Sequence, residues 1–421
     1  MAGQTVSLLG GALKRDYHGP IMDQLNNLSP TYRLLSKNEE DVSGEDLKAY
    51  VPIKTRRNQA IGARAENGPL PTARNVTTIQ LAIPLMYNYG AVAFSGQAIK
   101  ASRKNATAFA KVVDMEIKSM VEGMKIDTNR QLFSPASGFL CMTHGTGGGA
   151  DATVTVDKPG TQWLEEGMPI ESFPDTTTGA AVSDEGISEG LTEATAHQVG
   201  GITDSTTFEL ETYAGSSGSA EKWATDQYVF RYGARGYEMN GLMDIIDNYS
   251  IQGTSSWFGL GLGLQTIHGK SRSTYPILEA NVLHGSNTNR DLTEQLIQDT
   301  LDTVEKASGK NGDNKSMLIV TSYGVRKMYI DLLQADRRYV KPLDLVGGWK
   351  AIAYQAGNDY IPLIVDKHCV PNTMFFLDRR FLAIYRASNF DWINDNLSSI
   401  NTSENGENLF ETIPCQLAQA A

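Results

Sequence analysis

The stretch TTIQLAIPLMYNYGAVA, residues 77–93, decides how the rest of the chain is read. Its odd positions are Ile79, Leu81, Ile83, Leu85, Tyr87 and Tyr89, an unbroken row of large apolar side chains. The intervening Thr78, Gln80, Ala82, Pro84, Met86 and Asn88 are mostly small or polar. A period of two with one apolar face predicts a half-buried β-strand. At about 3.3 Å per residue the run would reach about 55 Å, well beyond the ~20 Å of an ordinary strand. Pro84 cannot donate a ladder hydrogen bond, which places the ribbon at an edge or on an arm. Upstream, Leu47, Ala49, Val51 and Ile53 alternate in the same way, with an extended run reaching toward Ile61. Between the two lies GARAENGPLPTARN (62–75), where Gly62, Gly68, Pro69 and Pro71 are turn residues. The expectation is a long hairpin with its tip near Glu66–Pro71. An isolated hairpin is marginal in water. Its apolar face therefore needs a cover: a second copy of the chain or, on the plainer alternative, its own domain.

With 421 residues, 41% hydrophobic and 20% charged, the chain is long enough for two or three cores. No run of about twenty residues is uniformly apolar, so no membrane span is expected. The start, MAGQTVSLLGGALKR, lacks basic residues before its short apolar run and does not read as a secretory signal. Cys141, Cys369 and Cys415 are odd in number and far apart, which argues against a disulfide framework and for a reducing compartment. Net charge is −11, unevenly placed. Residues 1–133 hold 17 Lys+Arg against 12 Asp+Glu, and residues 134–240 hold 4 against 16. The acidic middle is a domain-boundary signal. The balance also argues against tight sequence-specific DNA binding, which needs a concentrated basic face.

Residues 1–46 read as an extended arm. Phe109, Val113, Ile117, Met120 and Met124 step by four, four, three and four, predicting a helix from Asn105 to Phe133, stopped by Pro135. Such a helix is about 42 Å long, a spine. From Ser134 to Asn240 the texture changes to short strands between Gly, Thr, Ser and acids. An α/β region follows. A helix over 291–308 is expected to be capped by Asp291 with Glu294, and 317–321 is a buried strand. Ser322 is expected to cap a second helix bearing Val325, Met328, Tyr329, Leu332 and Leu333. Further strands are expected at 349–354, 361–365, 373–377 and 381–385.

Catalytic patterns fail on inspection. Gly263 to Ser271 imitates a phosphate loop, but five residues rather than four separate its glycines, and Pro276 follows where a helix should start. GLGLGL at 259–264 lacks a βαβ context. The six histidines never take metal-ligand spacing, and His368 beside Cys369 would point to the opposite face of a strand. Glu165, Glu166, Asp175, Asp184, Glu185 and Glu189 lack the calcium-loop spacing and read as a solvated acidic surface. No enzyme activity, cofactor or metal is expected.

What remains is geometry: an arm, a hairpin and a long helix that expose more surface than one subunit covers. Together with LLGGALKRDY (8–17), RNQAIGARAENGPLP (57–71), GKSRSTYP (269–276) and PLIVDKHCVPNTMFFLD (362–378), that order resembles the major capsid proteins of tailed bacteriophages (Caudoviricetes). The resemblance implies an α+β, Hong Kong 97-type fold. Its parts would be an N-terminal arm (1–48), an E-loop hairpin (49–95) and a peripheral domain with the spine helix (96–135). A β-rich, surface-facing insertion (136–240), an axial domain (241–369) and a return to the peripheral domain (370–421) would follow. It further implies a virion protein assembled in the host cytoplasm as hexamers and pentamers, forming an icosahedral head around non-specifically contacted double-stranded DNA. Portal, scaffolding and decoration proteins are the implied partners, with no membrane; the absence of a long helical pro-segment points to a separate scaffold. On this reading Arg56, Arg57, Arg64, Glu66, Arg74, Ile79, Leu81, Ile83, Leu85 and Tyr87 contact a neighbouring subunit, while Phe109, Val113, Ile117, Met120 and Met124 pack the spine helix. For the arginines, a merely solvated face is the plainer alternative. An encapsulin-like compartment and a carbohydrate- or receptor-binding tail or spike protein are the alternative functions.

Overall fold

The structure is a computed structural model. It describes residues 30–38, 42–43, 48–95, 106–135, 138–144, 153–157, 159–173, 197–212, 227–247, 266–283, 290–308, 316–335, 343–344, 350–356, 359–385, 391–392 and 410–419. Residues 1–29, Leu47, Asn105, the acids at 175–189 and the glycine run at 259–264 lie outside the described residues.

A short helix α1 (Pro30–Leu34) leads into β1 (Ser36–Asn38) and β2 (Val42–Ser43). The hairpin follows: β3 (Lys48–Arg56) runs antiparallel to β4 (Thr77–Pro84). Its register sets Ala49 against Ile83, Val51 against Leu81 and Ile53 against Ile79, so the alternating apolar positions share one face. β2 pairs only with Lys48 and Ala49, so Pro52 falls where β3 has no second partner strand among the described residues. Ala49, Ile83 and Leu85 are buried together, with Val51 and Tyr385 packed against them. The base of the hairpin is thus covered by its own chain.

The ribbon is not one strand through residue 93. It breaks at Leu85, and β5 (Met86–Ser95) joins a different sheet, pairing antiparallel with β21 (Phe410–Gln419), which also carries β20 (Asp391–Trp392). Pro84 ends the first ladder, and the strand then changes partners, which removes the need for a single 55 Å sheet. The long helix α2 (Ala106–Phe133) crosses β5 at Gly90. A Cβ there would sit 2.8 Å from the sulfur of Met124 and 3.1 Å from that of Met120, so a larger residue would require the two methionine side chains to shift. The side chains of Phe109, Val113 and Ile117 lie outside the described residues.

Six strands form an antiparallel sheet in the order β6 (Phe139–Met142), β11 (Tyr228–Arg231), β8 (Pro169–Phe173), β9 (His197–Ile202), β10 (Thr207–Thr212), β7 (Thr153–Thr155). Its first and last strands meet at a Thr143–Val156 bridge, where His144 N donates to Thr155 O (2.8 Å) and Asp157 N to Met142 O (2.7 Å). The sheet therefore closes into a small barrel without free edges at that seam. The barrel has no separate core of its own among the described residues. Its interior residues Phe139, Phe208, Leu210 and Phe230 belong to one buried cluster with Phe133, Val320, Val370 and Phe375.

That shared core explains the run MLIVT. β14 (Met317–Thr321) lies inside a mixed sheet of β15 (Leu343–Asp344), β16 (Lys350–Ala356), β17 (Asp359–Val365), β14 and β18 (Met374–Asp378). Met317 and Ile319 face a cluster with Ile297 and Leu301 of helix α4 (Glu294–Ser308) and Tyr329 of α5 (Tyr323–Ala335). Leu318 and Val320 face the main core. A strand covered on both sides must be apolar at every position. The cap of α4 differs from expectation: Thr293 Oγ1 accepts from Leu296 N at 3.1 Å. The Ser322 hydroxyl, expected to cap α5, is buried with no hydrogen-bond partner among the described residues. A last strand, β19 (Ala383–Tyr385), pairs parallel with β1.

Helix α3 (Leu242–Ile245) begins after Gly241, whose backbone abuts the end of α2. A Cβ at Gly241 would collide with the carbonyl oxygens of Ser134, Gln131 and Leu132. The sequence around the false phosphate loop forms a small hairpin, β12 (Thr266–Ile267) with β13 (Lys270–Ser271). His268 (φ 47°) and Gly269 (φ 76°) supply its two left-handed turn residues.

Gly241→Ala is expected to cost about 1–3 kcal/mol by overpacking, read as a lower urea midpoint at unchanged slope. Gly123→Ala, on α2 with nothing within 4 Å of the new methyl, is expected to raise stability by about 0.5–1 kcal/mol.

Candidate assembly surface

Beyond Arg56 and before Thr77, twenty residues of the hairpin make no strand pairs and are almost wholly exposed. Loops of this length without secondary structure are uncommon in compact domains and usually functional. This one is nonetheless shaped. Gly68 N donates to Ala65 O (2.9 Å), closing a turn in which Asn67 takes φ 61°. The guanidinium of Arg64 folds back, its Nε donating to Pro69 O at 3.1 Å and Nη1 to Ala63 O at 3.2 Å. Asn58 Oδ1 accepts from Ala60 N at 2.7 Å. At the neck, the register shifts between Lys54 and Arg56, and Thr55 Oγ1 donates to Thr77 O at 3.0 Å.

Burial falls steadily from base to tip. Leu81, Ile83 and Leu85 are buried within the chain itself, and Ile79 and Tyr87 are half-buried. Of the expected contact row, the residues left uncovered are Arg56, Arg57, Arg64, Glu66 and Arg74. Sequence reading placed Ile61 at the end of an extended run and passed over Leu70 and Val76; in the structure Leu70 is 88% exposed, Ile61 70% and Val76 45%. The signal for Leu70 was an apolar residue embedded between Gly68, Pro69 and Pro71, where neither periodicity places it. The expected helix-packing set is represented by Met120 and Met124, half-buried near β5.

The C-terminal turn of α2 lies inside the molecule, where residues 128–135 are all buried. Arg130 donates to Asp127 (3.0 Å) and to Glu238, which follows the barrel's last strand (2.5 Å), while Arg231 reaches Asp127 at 2.8 Å. Burial alone would raise the Asp127 carboxyl, but Arg130 and Arg231, with hydrogen bonds from Arg130 and Gln131, bring it down to about 2. Burial pushes Glu238 up, with Arg130 opposing. Beside this, Asp366 accepts from Thr31 and Asn129, both at 2.8 Å, and Asn129 lies 2.9 Å from His368 Nδ1. Burial holds His368 down near 4, despite Asp366. His368 and Cys369 occupy a turn after β17, not the strand expected. Trp163 Nε1 donates to His368 O (3.0 Å) and Gln162 to Cys369 O (2.9 Å), pinning the barrel to that turn. These groups are paired for structure: every acid named here is held by a guanidinium, amide or hydroxyl. Among the described residues no group of three or more His, Cys, Asp or Glu is placed to hold a metal, and no helix is long and apolar enough to cross a membrane.

No family model matches the sequence, and no curated protein matches it. Solved structures do. The chain is similar to the capsid asymmetric unit of cyanophage A-1(L), at 15% identity over 93% of this chain and 88% of that one, TM-score 0.48. It is also similar to the capsid of a native GTA particle, at 10% identity over 100% and 95%, TM-score 0.38. A structure of Gordonia phage Cozz matches at 9% identity over 93% and 82%, TM-score 0.37.

The acid limb of stability tests the ion cluster. A carboxyl whose folded value lies at about 2 against 3.8 unfolded contributes stability that is present above pH 4 and lost as pH falls toward 2. Asp127→Asn is expected to flatten that limb by about 2 kcal/mol, measured as urea midpoints between pH 5 and pH 2, while lowering stability at neutral pH.

Proposed function

We propose that this chain is the major capsid protein of a tailed bacteriophage, assembling as hexamers and pentamers into an icosahedral head around double-stranded DNA. The observation that carries the reading is the hairpin of 48–84: fastened at its base, shaped at its tip, and uncovered over 57–76. A protomer that orders twenty exposed residues, with Leu70 and Ile61 in the open, has built a surface for another molecule. In the shell the hairpin lies across a neighbouring subunit, α2 forms the spine, and the α4–α5 region packs toward the capsomer centre. Residues after Cys369 return to the core beside α2, as Phe375 against Phe133 does at 6.1 Å between ring centroids. No single contact has to be strong. Exposed ion pairs contribute under about 1 kcal/mol each, but a closed shell repeats them at every interface. With a net charge of −11, contact with packaged DNA is non-specific, and portal and scaffolding proteins guide assembly.

Deleting residues 62–74 is expected to abolish closed shells in negative-stain images of the co-expressed head proteins while leaving a folded protomer. Normal shells from that variant would overturn the reading. Nucleic acid extracted from wild-type particles separates a packaging head from an encapsulin-like compartment, which would hold protein instead.

A further inference from the structure

The barrel has one outer face with an unusual make-up. Strands β7, β10 and β9 carry no Lys or Arg. With Val154, Phe208, Leu210 and Val199 buried inward, Thr153, Thr155, Glu209 and Glu211 project outward. The register aligns Thr153 with Glu209 and Glu209 with Gly201, and β9 bulges opposite Glu209 and Leu210. Gly200 and Gly201 lie beneath the two glutamates: a Cβ at Gly200 would collide with the Glu211 side chain, and one at Gly201 would meet Glu209 Oε2 at 3.6 Å. Gln198 Nε2 holds Glu211 at 3.3 Å. Glu209 and Glu211 leave the backbone of one strand about 7 Å apart, and their side chains lie over the two glycines. The neck of the uncovered hairpin loop is the electrostatic complement of this face. Arg56, Arg57 and Arg74 are exposed, and among the described residues none forms a salt bridge. Arg64 is occupied in holding the turn.

Resting on the shell reading above, we infer that the β7–β10–β9 face is the docking surface for the arginine-bearing neck of the hairpin loop of a second copy, with Glu209 and Glu211 accepting from Arg56, Arg57 and Arg74. Carboxylate–guanidinium pairs supply direction as well as attraction. Because β7, β10 and β9 carry no Lys or Arg, no such side chain on these strands competes for the two carboxylates. The barrel region, which a minimal shell fold does not require, thereby acquires a role as the receiver of the neighbour's hairpin.

The test is a charge exchange in the full-length protein. Glu209→Lys with Glu211→Lys, and separately Arg56→Glu with Arg57→Glu and Arg74→Glu, are each expected to reduce sedimenting shells at least tenfold while circular dichroism stays unchanged. Combining both sets is expected to restore them. Independently of shell yield, mixing a Glu209→Cys variant with an Arg57→Cys variant under mild oxidation is expected to give a disulfide-linked dimer. Wild-type yields from either set alone, or no recovery in the combination together with no linked dimer, would overturn the docking face. If the charge variants assemble normally and the 62–74 deletion still abolishes shells, the hairpin is an assembly element that docks elsewhere.

Discussion

The buried guanidinium of Arg130 is the constraint on which the rest of this molecule depends. Its side chain is 3% exposed, and a charge so far from water is tolerable only when it is paired and hydrogen-bonded. Its partners come from two places far apart in sequence: Asp127 one turn earlier on α2, and Glu238 after the barrel's last strand. Satisfying Arg130 therefore fixes where the barrel sits on the helix. Arg231 closes the circuit from β11 back to Asp127. Removing one member would strand another buried charge, whereas an apolar replacement of the whole set would cost less. Gly241 completes the joint by letting backbone lie directly on the helix's final carbonyl groups.

From that joint outward, the molecule divides into surfaces that the chain finishes itself and surfaces that it leaves open. The finished side includes β14, apolar on both faces because two cores use it, and the barrel, whose seam at Thr143–Val156 removes its free edges. The Thr31–Asp366–Asn129 bonds fasten α1 to α2 and to the turn after β17. The open side is the hairpin beyond Ile79. Its two strands pair fully up to Arg56 and Thr77, and beyond them no described part of the chain covers the tip.

Sequence alone disclosed elements whose causes are local. Period-two alternation placed Leu81 and Ile83 on the buried face of β4, and a stripe of apolar residues marked a helix that runs from Ala106 to Phe133. The MLIVT run read as a buried strand because both of its faces are indeed covered. What stayed hidden depends on partners distant in sequence. The break at Leu85 could not be read, because Tyr87 and Tyr89 continue the same alternation. Only the pairing of β5 with β21, more than 300 residues onward, shows that they serve another sheet. Asp127, Arg130 and Glu238 each look like a surface charge until folding encloses them. Composition marked the β-rich segment as a unit of its own because it reports the polar outer face, while its interior joins the main core through a few phenylalanines.

The state of the hairpin tip bears on how binding strength could arise from weak contacts. A floppy twenty-residue loop would lose conformational freedom on meeting a partner, and that cost would consume much of the gain from a few exposed ion pairs. Here part of the ordering is already present. Arg64 clasps Pro69 O and Ala63 O, Asn67 holds the left-handed turn, and Pro69 and Pro71 restrict the backbone on the far side. The register shift at Lys54–Arg56 sets the direction in which the tip leaves the strands. A surface prepared in this way asks little of each contact. That tolerance for modest individual energies would suit the repeating assembly proposed above, in which contacts that are too strong would trap subunits in wrong arrangements.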